Sequence, residues 1–267
     1  DSDGFTVDEA EETNFAYDSS GSYGDPDTFE RYVAWCWKLG TTKTSGSSSW
    51  SGSGQNPDYE QYNSDAGMSI INYTDGDGNG TSIEFNHSLG AAPEFAMALD
   101  YEGYHSANYA WHKDLSSGNY LDLSSTGSQT SDSTYFPSSP ATNTTFTAGV
   151  SLVDYIQTHI ALFRSVEGFS KFGSYVGNGS SDGPFIYTGF RPAFVLIKNI
   201  GASQDWFLLD NERDGYNVVN DFLEPNTSNA EATASTNKAD FTANGFKLRG
   251  SGSVTNQNNT SFVYACF

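Results

Sequence analysis

One acidic loop has the residue types and spacing of a metal-binding site. Oxygen-bearing side chains alternate with glycine in Asp75-Gly76-Asp77-Gly78-Asn79-Gly80. This pattern matches the first half of a calcium loop, in which a tight turn directs several oxygens at one hard cation. The twelfth position is Asn86, where a calcium loop has a bidentate glutamate. A polar hairpin turn explains the segment more simply, so we expect a turn and keep Asp75, Asp77 and Asn79 as candidate calcium ligands.

Trp50 is the candidate ligand-binding residue, because it lies in a tract of glycine and serine at residues 45–54. An indole ring usually finds cover from water. Trp50 therefore either docks on a neighbouring domain, which we favour, or stacks on a sugar. Trp111 and Trp206 fall at matching places in an internal repeat, which favours copied core rings over a sugar-binding platform.

The sequence contains no recognisable catalytic constellation. The histidines have no metal-binding spacing, and no serine or cysteine lies in a nucleophile-elbow context; the histidines are His87, His105, His112 and His159. The 33 acidic residues are best explained as surface-solvating groups, although folding can bring two of them to glycosidase distance. We therefore expect no enzyme activity, no catalytic residue and no cofactor beyond the candidate calcium ion.

The chain is strongly acidic, with a formal net charge of −21 over 267 residues. Such a charge repels phosphate backbones and anionic bilayers, so we expect no nucleic-acid partner. No apolar stretch approaches the roughly 18 residues needed to cross a membrane, so we expect no membrane insertion. The acidity either keeps the surface soluble, which we favour, or binds cations. We expect Cys36 and Cys266, which occupy equivalent places in two repeats, to be buried thiols without a disulfide.

The chain repeats itself with a period of about 100 residues, the usual size of a small domain. Tyr73 and Tyr175 are 102 residues apart, and Phe163 and Phe267, which end two similar apolar runs, are 104 residues apart. A third, similar run ends at Trp37. A solenoid repeat is shorter, at roughly 20–50 residues, so the period favours small domains in tandem.

The composition predicts strands joined by turns. Aromatic residues make up 15% of the chain, and they favour pleated surfaces. With about seven candidate strands per repeat, we predict an all-β fold of tandem antiparallel β-sandwich domains. Residues 194–197 lack alternation and should be buried on both faces.

The predicted organisation has four parts. We expect an orphan β-hairpin at residues 1–37 that ends a preceding repeat, a Gly/Ser-rich linker at 38–66, and sandwich repeats at 67–165 and 166–267. An isolated hairpin is marginally stable in water, so it should pack against the first sandwich or a neighbouring subunit.

The second repeat resembles a known family. The resemblance rests on Phe169-Ser170-Lys171-Phe172-Gly173-Ser174-Tyr175-Val176-Gly177-Asn178-Gly179 and on Asp182-Gly183-Pro184-Phe185-Ile186-Tyr187-Thr188-Gly189-Phe190-Arg191-Pro192. These segments are similar to a repeat domain of tailed, especially marine, bacteriophages, found in virion and tail-associated proteins. The similarity covers residues 168–267 well and 67–163 less well, because the run ending at Phe163 lacks the usual Tyr and Cys.

The resemblance implies a non-enzymatic structural protein of the bacteriophage virion, such as a tail fibre, an appendage or a capsid-surface protein. Its partners would be other virion subunits, including further copies of the chain in a homo-oligomer. Its loops would offer a place for host-surface glycan. The alternatives are a phage protein that binds or degrades surface polysaccharide and a cement protein without a ligand. The family brings no catalytic residues.

Overall fold

A computed structural model of the chain describes residues 34–47, 50–74, 81–100, 108–153 and 157–267. The chain divides into two compact units, Asp1–Lys38 and Leu39–Phe267. In the first unit only residues 34–38 are described, and they form no strand. Cys36 is exposed, so the expectation of a buried thiol was wrong for Cys36 and is confirmed for Cys266. Both thiols are free, and the rest of the predicted hairpin lies outside the described residues.

The first sandwich packs an eight-stranded antiparallel sheet, in the order β1-β2-β3-β10-β5-β6-β7-β8, with a two-stranded sheet of β4 and β9. Its elements, in chain order, are β1 (Thr41–Thr44), β2 (Tyr59–Asn63), β3 (Met68–Thr74), β4 (Ile83–Asn86), β5 (Phe95–Asp100), β6 (Tyr109–His112), β7 (Asn119–Asp122), β8 (Thr130–Ser131), β9 (Thr145–Ala148), α1 (Val150–Val153) and β10 (Gln157–Phe163).

The second sandwich packs a six-stranded sheet, in the order β11-β19-β13-β14-β15-β16, with a three-stranded sheet in the order β12-β18-β17. Its elements are β11 (Lys171–Val176), β12 (Phe185–Tyr187), β13 (Phe194–Asn199), β14 (Phe207–Asp210), β15 (Asp221–Leu223), β16 (Ala232–Thr233), β17 (Ala239–Thr242), β18 (Gly245–Leu248), α2 (Ser253–Asn256) and β19 (Ser261–Cys266). The predicted all-β sandwich fold is confirmed, with 41% strand and 4% helix.

The two sandwiches share one strand order. Strands β3-β10-β5-β6-β7-β8 of the first correspond to β11-β19-β13-β14-β15-β16 of the second. Phe163 pairs with Phe95, and Phe267 exchanges two backbone hydrogen bonds with Phe194. Tyr73 lies five residues after Met68, the partner of Phe163 on β3. Tyr175 lies five residues after Ser170, which the register of β11 with β19 places opposite Phe267. The two tyrosines are therefore equivalent.

Rings fill both cores, as the aromatic composition suggests. Phe85, Phe136 and Phe146 are fully buried in the first core. The second core holds the fully buried rings Phe207, Phe241, Phe246 and Phe262. Residues 194, 195, 197, 198 and 199 of β13 are all buried, which confirms that this strand is covered on both faces.

The segment predicted to be a linker, residues 38–66, contains two strands of the large sheet. β1 pairs with β2, and β2 pairs with β3. The linker prediction was wrong because Glu60, an acidic residue in a polar segment, is fully buried in β2. Its burial depends on partners far along the chain, which are described below.

The tryptophans do not match in the two repeats. With Phe95 and Phe194 equivalent, the pairings of β5 with β6 and of β13 with β14 make Trp111 equivalent to Leu209. Trp206 instead precedes β14. The expectation of equivalent tryptophans was wrong, because Trp206 lies three residues before the position equivalent to Trp111.

Candidate functional site

The candidate calcium ligands Asp75, Asp77 and Asn79 lie outside the described residues. Tyr73 and Thr81, on either side of that segment in the sequence, line a cleft of about 350 Å³ together with Gln55 and Glu84. Within the part of the chain that the structure describes, no three His, Cys, Asp or Glu side chains are grouped so that they can hold a metal ion. The calcium site stays a prediction.

Trp50 is half-buried against the first two strands. Its indole N–H donates to the carbonyl of Thr44 at 3.2 Å. The ammonium group of Lys43 lies 4.9 Å from the centre of the Trp50 ring and 5.2 Å from that of Tyr62. The ring therefore has a partner within its own sheet, which is the kind of cover that an indole needs. Its role in sugar binding stays a prediction.

Residues 50–63, which we name the strap, cover two edges of the first sandwich. At the first edge β2 of the strap pairs with β3, and Glu60 is buried between them. The Glu60 carboxylate accepts hydrogen bonds from the Ser69 hydroxyl at 2.6 Å, the Ser88 N–H at 2.7 Å and the Ser88 hydroxyl at 2.6 Å. A buried carboxylate needs such partners to offset the loss of its hydration.

The second edge covered by the strap is that of β4. The N–H of Gln55 donates to the Glu84 carbonyl at 2.7 Å, and the Asn86 N–H donates to the Gln55 carbonyl at 2.9 Å. The Asn86 side chain also donates to the Gly54 carbonyl and to the Asn56 side chain, each at 2.7 Å. A Cβ on Gly54 would lie 2.6 Å from the Glu84 carbonyl oxygen, so the strap needs glycine here to lie close to β4.

Among the described residues, no strand pairs with the equivalent edges of the second sandwich, and we call these edges open. β11, the counterpart of β3, and β12, the counterpart of β4, both lie at the ends of their sheets. Large apolar side chains are exposed at both of these edges, namely Phe169 (41%), Val176 (58%), Phe185 (46%) and Tyr187 (66%). An open strand edge with apolar side chains is a template for pairing with another chain.

An aromatic seam joins the two sandwiches on the faces that point away from their cores. Phe95 stacks on Phe172 with the ring centres 5.8 Å apart and the planes 16° apart. Phe163 contacts Phe172 at 5.9 Å and Phe267 at 6.0 Å. Phe172 is completely buried, so the second sandwich contributes a core-like ring to the surface of the first.

Polar contacts extend this seam to the far ends of the strands. The ammonium group of Lys198, which is fully buried, donates to the Thr126 carbonyl of the first sandwich at 3.0 Å and to the Gln204 carbonyl of the second. The Trp206 indole N–H crosses the seam to the Asp122 carbonyl at 2.9 Å. Burial lowers the pKa of Lys198 to about 8, and the nearby carboxylates of Asp205 and Asp122 oppose that change.

A groove of about 480 Å³ opens beside these contacts. Its apolar part is formed by Leu99, Leu123, Leu196 and Trp206, and its polar part includes Asn108, Ser124, Asn226 and Ser228. Leu99 is 39% exposed in the groove, whereas Trp206 is only 3% exposed. Apolar cover with hydroxyl and amide groups around it suits a small neutral ligand.

The profile of one protein family, described as a domain of unknown function and designated DUF7483, matches residues 1–267. The chain belongs to the DUF7483 family. Comparisons with curated proteins and with solved structures give no match. Among the described residues of this DUF7483 chain, no helix is long and apolar enough to cross a membrane.

Two buried histidines of the DUF7483 chain hold the backbone rather than a ligand. Nδ1 of His87 accepts the Leu89 N–H at 3.3 Å, and its Nε2 lies 3.1 Å from the Thr142 carbonyl oxygen. Nδ1 of His112 accepts the Asp114 N–H at 3.1 Å. These contacts require a neutral ring with Nδ1 unprotonated, and burial lowers the pKa of each histidine to about 4.

The second sandwich places an aspartate where the first has His112. Asp210 occupies the same strand position and accepts the N–H of Glu212 at 3.1 Å and that of Arg213 at 3.0 Å. The Arg213 guanidinium lies 2.9 Å from the other oxygen of the buried Asp210 carboxylate. Sequence analysis missed the buried roles of Glu60, Lys198 and Asp210; the available signal for Lys198 and Asp210 was a charged residue within an otherwise apolar strand.

Lys198 gives a testable pH dependence. Its pKa is about 8 in the folded chain and about 10.5 when unfolded, so the folded state carries a cost at neutral pH that disappears as the pH rises from 8 to 10.5. Relative to Lys198→Met, the wild-type chain should gain about 3 kcal/mol in the free energy of unfolding over that range. Urea denaturation of both chains at pH 7, 8, 9 and 10.5 measures this difference. A difference that does not change with pH would contradict a buried, proton-releasing Lys198.

Proposed function

We propose that this DUF7483 chain is a non-enzymatic structural protein of a bacteriophage virion, exposed on the particle and assembled with other virion subunits. The observation that carries the proposal is the use of its buried ionisable groups. Glu60, His87, His112, Lys198 and Asp210 all hold backbone or hydroxyl groups at strand ends, at the strap or at the seam. Such groups fix a rigid shape, which a structural subunit requires.

Three further features support the proposal. The aromatic seam joins two sandwiches of like topology into one compact unit, so the chain presents its surfaces at fixed positions. The second repeat resembles phage repeat domains in the segments around Lys171 and Arg191. The open edges at β11 and β12 supply surfaces for contact with further subunits.

Immunogold electron microscopy tests the proposal. Antibodies raised against the purified chain should label particles of the encoding phage after banding on a density gradient, and antibody pre-absorbed with the chain should not. The chain should also be detected by mass spectrometry in the banded particles. Recovery of the chain only from the soluble fraction of infected cells would contradict a virion role. Release of reducing sugar from host polysaccharide by the purified chain would favour the enzyme alternative.

Glycan attachment is a second candidate function, favoured by the groove beside Trp206. Its combination of Leu99 and Leu196 with hydroxyl and amide groups matches the apolar and polar faces of a sugar ring. Titration of host-surface oligosaccharides into the chain should show saturable binding that Leu99→Asp abolishes. Tyr216→Ala, at a side chain that is 90% exposed and does not line the groove, is the matched control.

A further inference from the structure

A second strap-like sequence lies near the start of the chain. Residues 20–32 read Ser-Gly-Ser-Tyr-Gly-Asp-Pro-Asp-Thr-Phe-Glu-Arg-Tyr, and residues 51–62 of the strap read Ser-Gly-Ser-Gly-Gln-Asn-Pro-Asp-Tyr-Glu-Gln-Tyr. Both begin with Ser-Gly-Ser, continue to Pro-Asp, and end with an aromatic residue, a glutamate and a tyrosine. The alignment places Glu30 at the position of Glu60, with one extra residue, Thr28. The chain thus contains two strap-like sequences and two sandwiches, of which one has open edges.

We propose that residues 20–32 of one copy of the chain bind the open edges β11 and β12 of a second copy, in the way that the strap binds β3 and β4. The proposal deepens the proposed function, because it names the segment and the surface through which subunits would assemble. The strap precedes the first sandwich directly and is used there. The sandwich that directly follows residues 20–32 has its edges covered by the strap. The second sandwich of another copy supplies open edges for residues 20–32.

The β11 edge has groups available for such pairing. Gly177 donates its N–H to Thr260, on the β19 side, whereas the N–H of Phe172 points the other way, to the Ser165 hydroxyl. Because N–H directions alternate along a strand, the Ser174 and Val176 N–H groups point outward from β11. Ser174 is exposed. An incoming antiparallel strand would therefore meet outward donors and acceptors near the middle of β11.

Charge complementarity favours the glutamate of residues 20–32 at this edge. Ser69 and Lys171 hold the same place, because each pairs with the penultimate residue of its closing run, Leu162 or Cys266. In the first sandwich Ser69 donates to Glu60. In the second sandwich Lys171 would meet Glu30, which replaces a hydroxyl–carboxylate contact with an ion pair.

The β12 edge differs from β4 in a way that the second sequence matches. Ile186 of β12 pairs with Phe246 as Phe85 of β4 pairs with Phe146. The next residue of β12, the exposed Tyr187, therefore takes the position that Asn86 has in β4. Tyr23 stands where the strap has Gly54. Because a Cβ at the Gly54 position crowds the backbone of β4, residues 20–32 would lie farther from β12 than the strap lies from β4, with the Tyr23 ring over the exposed Tyr187.

A charge-reversal cycle on the full chain tests the proposal. Light scattering after size-exclusion chromatography should give a mass above that of one 28.9 kDa chain, increasing with concentration. Lys171→Glu and Glu30→Lys should each raise the dissociation constant at least about tenfold, and the double variant should restore association. Ser174→Pro should also abolish association while the chain stays folded, because a proline is tolerated on an edge strand where the N–H faces outward. Circular dichroism verifies the folding of each variant.

Three results would overturn the proposal. The first is a chain that stays at the mass of one copy at every concentration. The second is association that neither charge reversal nor Ser174→Pro changes. The third is a chain of single-copy mass in which Glu30→Lys and Lys171→Glu compensate each other in stability, because residues 20–32 would then bind their own copy. Labelling of virions together with any of these results would leave the proposed function intact.

Discussion

Between pH 6.5 and pH 4 the folded chain should lose about 6 kcal/mol of stability through two buried histidines. The pKa of His87 and that of His112 are each about 4 in the folded chain, against an ordinary value of about 6.5. Between these values the unfolded chain binds protons that the folded chain does not. The stabilisation is therefore fully present above pH 6.5, and it is lost as the pH falls to 4.

The geometry explains why the two rings resist protonation. A proton on Nδ1 would point at the backbone N–H of Leu89 or of Asp114, which these nitrogens now accept. Both side chains are buried, His87 with 2% and His112 with 1% of its surface exposed. Desolvation therefore acts against the imidazolium form, as it does for any buried cation without a partner.

The second sandwich indicates which substitution of His112 measures this effect. Asp210 does in the second sandwich what His112 does in the first, so His112→Asn should keep the acceptor for the Asp114 N–H without titrating between pH 4 and 6.5. The loss of unfolding free energy over this range, from urea denaturation at several pH values, should shrink by about 3 kcal/mol in that variant.

His159→Asn is the matched control. Burial lowers the pKa of His159 as well, but the ring is only half-buried, so this variant should change the pH dependence less than His112→Asn does. An acid loss of stability that is the same in all three chains would contradict the assignment to buried histidines. The carboxylates would then be responsible for it.

The tandem organisation could be predicted because a duplicated fold keeps its closing residues. Phe163 and Phe267 each lie against the equivalent phenylalanine of the neighbouring strand, Phe95 or Phe194, and this requirement preserved their spacing. The unalternating residues 194–197 likewise indicated a strand covered on both faces, since the core lies on one face and the seam on the other.

The strap could not be predicted, because its burial depends on contacts between distant residues. Glu60 lies inside only because Ser69 and Ser88 satisfy its carboxylate, and no local pattern records that arrangement. The proposed equivalence of Trp111 and Trp206 failed for a related reason. Trp206 lies three residues before Leu209, the residue equivalent to Trp111, and only the strand pairing shows that offset.

Phe172→Ala should remove about 3–5 kcal/mol of stability and separate the unfolding of the two sandwiches. Phe172 is fully buried; it contacts Phe95 and Phe163 across the seam and Phe267 within its own sandwich. Truncation to alanine leaves a cavity between two sandwiches whose own cores stay intact. Because the seam couples them, we expect the wild-type chain to unfold in one transition and the variant in two.

Hydrogen exchange with mass spectrometry during urea denaturation resolves the two sandwiches separately. In the variant, peptides from β3 and β10 should become unprotected at a different urea concentration from peptides of β13 and β19. Phe246→Ala is the matched control, because Phe246 is also fully buried but belongs to the core of the second sandwich. It should lower stability by a similar amount without opening the seam. Coincident transitions in Phe172→Ala would contradict this prediction, because the remaining contacts across the seam, among them Phe163 with Phe267 and those of Lys198 and Trp206, would then suffice to couple the sandwiches.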